Sequence, residues 1–377
     1  MKFRVERDVL AEAVTWTARG LPARPPVPVL AGVLIEADEA GTLTLSAFDY
    51  EVSARITVAA DVAEGGRVLV LGRLLADISR NLPNRPIDVA TDGNKVQPTC
   101  GSSRFSLLQM PGEEYPTLPV SPEPSGTIAG DVFTQAVAQV SVAADRSDTL
   151  PILTGVRIEV SGERISLLAT DRYRLAMRDL TWSPADPSIE TVVLVPARTL
   201  SDTAKALGAS ASVEVALGGA AGGDGLIGFE AGQRRTTTRL LDGEYPKVSS
   251  IPPSSVDSEA VVETAALVEA VKRVSLVAER NAPVRLRFID GQVAIDAGTG
   301  DDAQASEAVE CRLTGPEIEI AFNPHYLLDG LHALGTRFAR LAFTQSSRPS
   351  VISGQAELDG EADLSYRYVL MPVRLPS

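Results

Sequence analysis

The chain has 377 residues, 44% apolar and 22% charged, a composition that excludes disordered, collagen-like and low-complexity classes. Its net charge of −14 argues against a protein that coats DNA with a uniformly basic surface, but not against one with a single basic face. No apolar run approaches the roughly 20 residues of a membrane span, Met1 to Arg7 lacks the apolar stretch of a signal peptide, and Cys100 and Cys311 are too few and too far apart for a disulfide framework, so two reduced thiols in a cytoplasmic protein are expected.

Taken in order, the predicted elements repeat three times. Val9, Leu10, Ala13 and Val14 have helical spacing and predict a helix over 7–20; the same pattern returns in predicted helices over 131–146 and 264–280. A strand pair opening at Pro28–Glu36 returns at Pro151–Glu159, 123 positions on, and again at Pro283–Phe288. Alternating strands follow at Leu43–Leu45, Ile165–Leu168 and Gln292–Ile295. Second helices are predicted over 73–82, 197–208 and 323–340, the last two entered through Pro196 and Asn323-Pro324. Gly112-Glu113-Glu114-Tyr115-Pro116 closes the first unit and Gly243-Glu244-Tyr245-Pro246 the second. Pro/Ser-rich linkers at 119–124 and 251–255 then divide the chain into domains 1–119, 120–252 and 253–377. Two helices and several short strands per unit predict an α+β fold, with helices on one face of antiparallel sheet.

No catalytic constellation stands out. His325 and His332 lie two helical turns apart, about 10 Å, too far to share a metal without further ligands. The glycine-rich run 218–225 lacks the Gly-Lys-Ser/Thr ending of a phosphate loop and predicts a hairpin loop; Asp301-Asp302 lacks calcium-loop spacing. Asp49 and Asp171 recur at one place in the repeat, where a turn or a salt bridge is expected rather than acid–base work. Neither metal nor cofactor is expected. The six predicted helices carry twelve basic and nine acidic side chains on a chain of −14, which would make a shared helix face mildly basic and able to follow a phosphate backbone without reading bases.

The C-terminal Tyr368-Val369-Leu370-Met371-Pro372-Val373-Arg374-Leu375, the Met1-Lys2-Phe3 start, the three-fold repeat and Ala169-Thr170-Asp171-Arg172-Tyr173-Arg174-Leu175 together resemble the bacterial DNA polymerase III beta subunit family, the sliding clamps. The resemblance covers essentially the whole chain. It implies three similar DNA-clamp domains per chain and a head-to-tail homodimer closed as a six-domain ring, with helices lining the hole. It implies a non-catalytic processivity factor of DNA replication that encircles duplex DNA nonspecifically. Its implied partners are a replicative DNA polymerase, a clamp loader and other proteins carrying short apolar peptides. A specialised second clamp copy, or a DNA-free adaptor using the same pocket, is the alternative.

The resemblance also implies sites. A peptide pocket between the second and third domains would be walled by Leu153, Thr170, Arg172, Tyr173, Arg174 and Leu175, then by Pro246 and Ile251, and along the C-terminal strand by Val369, Leu370, Met371, Pro372, Val373 and Arg374. DNA contact would fall to Arg24, Arg73, Arg80, Arg198 and Lys205. The ring interface would bring Phe105 and Leu107 of one copy against Leu276 of the other. Arg172-Tyr173 stands where the family often has Gly-His, Ile152 where some members have an aromatic, and Ser250 where an arginine is common. Ser275 replaces an often apolar residue, and Pro376-Ser377 extends the usual terminus.

Overall fold

The computed structural model describes residues 1–22, 24–147, 149–218, 225–248, 251–253, 255–279, 282–298 and 303–374. Most of the glycine-rich run, Asp301-Asp302, Ser250, Arg280 and Pro376-Ser377 lie outside them.

Among the described residues there are six α-helices: α1 Arg7–Ala18, α2 Gly72–Asn81, α3 Gly130–Ser141, α4 Ala197–Leu207, α5 Thr264–Val274 and α6 Pro324–Leu334. All six begin within a residue of the predicted start, while several ends fall short. Helix α6 stops because Gly335 adopts a left-handed φ of 67°, a helix-terminating conformation open to glycine. The residues expected to prolong it instead alternate as the strand Phe338–Phe343. Helix α3 gives way after Ser141 to turns that carry Asp145, whose N–H donates to the Leu153 carbonyl at 2.8 Å. Helix α5 tightens into a 3-10 turn over Ser275–Val277, with the Ser275 hydroxyl donating back to Val271 O.

These shorter helices correct the charge estimate. Arg19, Arg146, Arg337 and Arg340 are not on them, and the helices together carry seven basic and seven acidic side chains. The helical faces are neutral on an acidic body, not basic.

Every strand pair among the described residues is antiparallel, and the chain packs as two compact units. The first comprises Met1–Phe133, Ser183–Pro187 and Asp202–Leu240. It holds a nine-stranded sheet in which Arg234–Arg239 pairs with Val52–Ala59, joining strands on either side of the 119–124 linker. It also holds a six-stranded sheet built around Lys2–Val5 and Ile87–Asp92. Helix α1 turns Leu10, Ala13, Val14 and Thr17 inward at helical spacing and packs against α2.

The second unit comprises Thr134–Trp182, Ser188–Ser201 and Leu241–Ser377. Its twelve-stranded sheet runs from Glu190–Pro196 at one edge to Ile318–Phe322 at the other. Near the middle, Arg174–Thr181 pairs with Ala362–Leu370, Leu175 opposite Val369 and Met177 opposite Arg367. One face of this sheet carries Tyr366, Tyr368 and Leu370 into the core, where Tyr366 donates to the Gln139 carbonyl at 3.1 Å. Both cysteines are buried free thiols; burial first, then Asp290, pushes Cys311 up to about 11. No helix among the described residues is long and apolar enough to cross a membrane.

Candidate functional site

The segment singled out by the repeat, Ala169 to Leu175, is a turn between the strands Arg164–Thr170 and Arg174–Thr181. Asp171 shapes it. One carboxylate oxygen accepts from the N–H groups of Tyr173 (3.0 Å) and Arg174 (3.1 Å); the other accepts from Arg174 Nε at 2.8 Å. Thr170 Oγ1 donates to Arg174 O at 2.6 Å and accepts from Arg172 N–H at 3.2 Å. This geometry forces Arg172 to a φ of 79°. A side chain in that region costs of order 1 kcal/mol, a cost that glycine would not incur.

The first unit repeats the device. Asp49 accepts from the N–H groups of Glu51 (3.0 Å) and Val52 (2.6 Å), and Tyr50 has a φ of 78°. Asp49 and Asp171 are thus turn residues, as their recurrence suggested, and Asp171 is an ion-pair partner as well. The copies differ one position earlier. Phe48 packs its ring among Val29, Leu34, Leu69 and Tyr115, whereas Thr170 places a hydroxyl and a methyl there.

Arg174 turns toward α6. Its Nη1 donates to Asp329 at 2.6 Å and to Tyr368 Oη at 3.4 Å, its guanidinium lies 4.4 Å from the Tyr326 ring centre, and Tyr368 Oη donates to Tyr326 O at 2.8 Å. Burial alone would lower this guanidinium, but Tyr368, Asp329 and Asp171 outweigh it and leave the pKa raised. Asn323 fixes the start of α6 by accepting from the N–H groups of His325 (3.0 Å) and Tyr326 (3.3 Å), with Pro324 at the first helical position. Tyr326 is thereby held under Tyr173, ring centres 6.1 Å apart and planes 22° from parallel.

On the opposite face of the sheet, Leu168, Leu175, Val248 and Val369 form an apolar cluster joined by half-buried Met177, Ile251 and Val351. Leu153, Leu194 and Tyr245 make a second cluster with Ile152 and Leu241. The C-terminal segment closes the site: Met371 N–H donates to Tyr173 O at 2.9 Å, and Val373 N–H to Ala321 O at 2.8 Å.

The expected pocket residues therefore come together in one unit, in two roles. Arg172, Tyr173, Pro246, Val373 and Arg374 are exposed, and Ile251, Met371 and Pro372 are half-buried. Leu175 and Val369 form the buried apolar floor, with Thr170 buried beside Leu175 and Leu153 buried in the second cluster. Arg174 and Leu370 stand on the helix-facing side of the sheet, because side chains alternate along a strand; they support the site and do not line it. Sequence reasoning missed Met177, Val248, Val351 and Tyr326. Met177 was within reach, two positions from Leu175 on the same face; Val351 arrives from a distant strand opposite Val369.

The expected DNA-contact residues Arg24, Arg73, Arg80, Arg198 and Lys205 are all exposed. Arg73 donates to Leu21 O at 3.1 Å, and Arg80 pairs with Asp77 at 2.5 Å. Of the interface residues, Leu276 is 84% exposed and Phe105 41%, but Leu107 is only 6% exposed. This corrects the expectation for Leu107, which points into its own domain; its neighbour Leu108, 65% exposed, is the outward leucine.

Three family models match in succession: the N-terminal domain of the DNA polymerase III beta subunit over residues 1–119, the central domain over 127–247 and the C-terminal domain over 249–374. The chain is 59% identical over 375 residues to the beta sliding clamp of Streptomyces coelicolor, covering all of both chains. It is 49% identical over 374 residues to the beta sliding clamp homolog GriR of Streptomyces muensis, covering 99% of each. Its fold superimposes on the Pseudomonas aeruginosa sliding clamp bound to griselimycin with a TM-score of 0.91, at 30% identity and full coverage of both chains.

Proposed function

This chain belongs to the DNA polymerase III beta subunit family, and on that premise we propose that it acts as a sliding clamp: a head-to-tail homodimer closed around duplex DNA in the cytoplasm. It is a processivity factor without catalysis of its own. The observation that carries this reading is the succession of three matching clamp domains, over residues 1–119, 127–247 and 249–374. Greater identity to the Streptomyces coelicolor clamp than to the homolog GriR does not favour the specialised-copy alternative.

The mechanism is topological. Helices with equal numbers of acidic and basic side chains do not grip a phosphate backbone as a basic surface would. Retention comes from closure, and weak contacts from residues such as Arg24 and Lys205 leave the ring free to slide. An acidic exterior keeps DNA off the other surfaces.

Tethering falls to the apolar site around Leu175, Val369 and Met371, which takes short peptides from a DNA polymerase, a clamp loader and other replication proteins. Burying two large peptide side chains there contributes roughly 3–6 kcal/mol gross, suited to an exchangeable tether. The test is retention on circular primed DNA after loading. The protein is expected to stay on the intact circle and to leave once the circle is cut; rapid loss from the intact circle overturns the proposal.

A further inference from the structure

Beside the apolar floor, the same sheet face changes character within two residue steps. Cross-strand neighbours share a face, so the rows can be read directly. Thr170, Leu175 and Val369 form one row; Leu168, Met177 and Arg367 form the next; Ser166 and Asp179 form the third. A cavity of about 250 Å³ opens over the second and third rows, next to the first. Its apolar end is Leu168, Met177 and Val248, and its charged lining is Arg157, Arg164, Lys247 and Arg367 against Glu159 and Asp179.

The charges there are unequally matched. Arg157 pairs with Glu159 at 2.6 Å. Asp179 accepts from Ser166 at 2.6 Å and must serve both Arg164 (3.0 Å) and Arg367 (3.3 Å). Burial works against its ionisation, but Ser166 and the guanidinium groups outweigh this and hold it below the usual carboxylate range. Lys247 is exposed and has no ion pair among the described residues. Four cations against two anions make this a basic patch on a chain of net charge −14.

We infer that this patch is a specificity extension of the peptide site, and that it takes an acidic side chain flanking the docked apolar anchor. The inference rests on the docking role proposed for the Leu175–Val369 floor. Arg367 lies two residues from Val369 on one strand, a distance of about 7 Å, so the acid belongs within about three residues of the anchor. Such a carboxylate supplies the second anion that Arg164 and Arg367 lack, and Lys247 adds attraction from the rim.

The test is fluorescence anisotropy on the full chain with three labelled probes: Gln-Leu-Ser-Leu-Phe alone, the same peptide with two aspartates at its N-terminus, and with two at its C-terminus. One aspartate form is expected to bind about three- to ten-fold more tightly than the bare peptide in low salt, with the gain shrinking in 0.5 M salt. The exposed-residue variant Arg164→Gln/Lys247→Gln should abolish the gain and leave bare-peptide affinity unchanged. Binding of the bare peptide with no gain from either extension, or a gain that survives in the variant, overturns the acidic-flank inference alone. Failure of all three peptides to bind the folded protein overturns the docking site with it.

Discussion

The Tyr245 hydroxyl accepts a hydrogen bond from the backbone N–H of Thr170 at 2.9 Å, fastening the end of the central domain to the turn that shapes the site. Replacing Tyr245 by Phe leaves that buried N–H without a partner and is expected to cost about 1–3 kcal/mol in urea unfolding. The bond also predicts an alkaline signature. Burial pushes the Tyr245 phenol from 10.0 up to about 12, against the opposing pull of the Thr170 N–H. The fold thus favours the neutral phenol: its contribution is whole below pH 10 and is lost as pH rises toward 12. Wild-type stability should fall more steeply across that window than stability of the Phe variant; equal slopes would rule out Tyr245 as a titrating group.

Arg174 and Asp171 are both nearly inaccessible and paired at 2.8 Å. Arg174→Met strands the buried Asp171 carboxylate and should cost about 3–5 kcal/mol at pH 7, whereas Asp171→Asn should cost less, because Arg174 keeps its pair with Asp329. The double variant should cost clearly less than the two together, since neither charge is then left alone. Strict additivity in a denaturation cycle would contradict the coupling drawn here.

Met371 is half-buried, and its backbone N–H donates to Tyr173 O, a bond that a side-chain substitution leaves in place. Met371→Asp should therefore shift the melting temperature by no more than about 3 °C while lowering affinity for a Gln-Leu-Ser-Leu-Phe probe at least about ten-fold. Wild-type affinity in the variant, measured by anisotropy, would remove Met371 from the site.

The neighbouring leucines at 107 and 108 separate two effects in one short strand. Leu107→Ala should destabilise the fold by about 2–4 kcal/mol without changing subunit affinity. Leu108→Asp, like Leu276→Asp, should shift sedimentation toward a monomer with unfolding unchanged. A stable dimer in both aspartate variants would place the interface elsewhere.

How far the sequence could be read follows from the range of each signal. Helix starts were legible because the apolar period and residues such as Asn323-Pro324 are local. Ends were less so: Gly335 terminates α6, yet apolar residues beyond it continue a plausible helical pattern, and only pairing with Ser258–Glu263 and Ser350–Gln355 makes Phe338–Phe343 a strand. The basic helix face disappeared with those ends. Leu107 came from the resemblance, and a two-residue strand is too short for its sequence to show which parity faces inward. At the site, the 169–175 motif marked the turn. Tyr326 and Val351 reach it only through tertiary contact and carry no local mark.

The two domain linkers are bridged by backbone ladders. Val52–Ala59 bonds to Arg234–Arg239 across the first linker, and Arg174–Thr181 to Ala362–Leu370 across the second, each through five paired positions. Bending at either linker would require a run of main-chain bonds to shear together, so the Pro/Ser-rich segments are covalent passages and not mechanical joints. A closed clamp must part somewhere to admit a circular duplex. With both linkers bridged in this way, the proposed ring is expected to open at the contact between subunits and not within a chain.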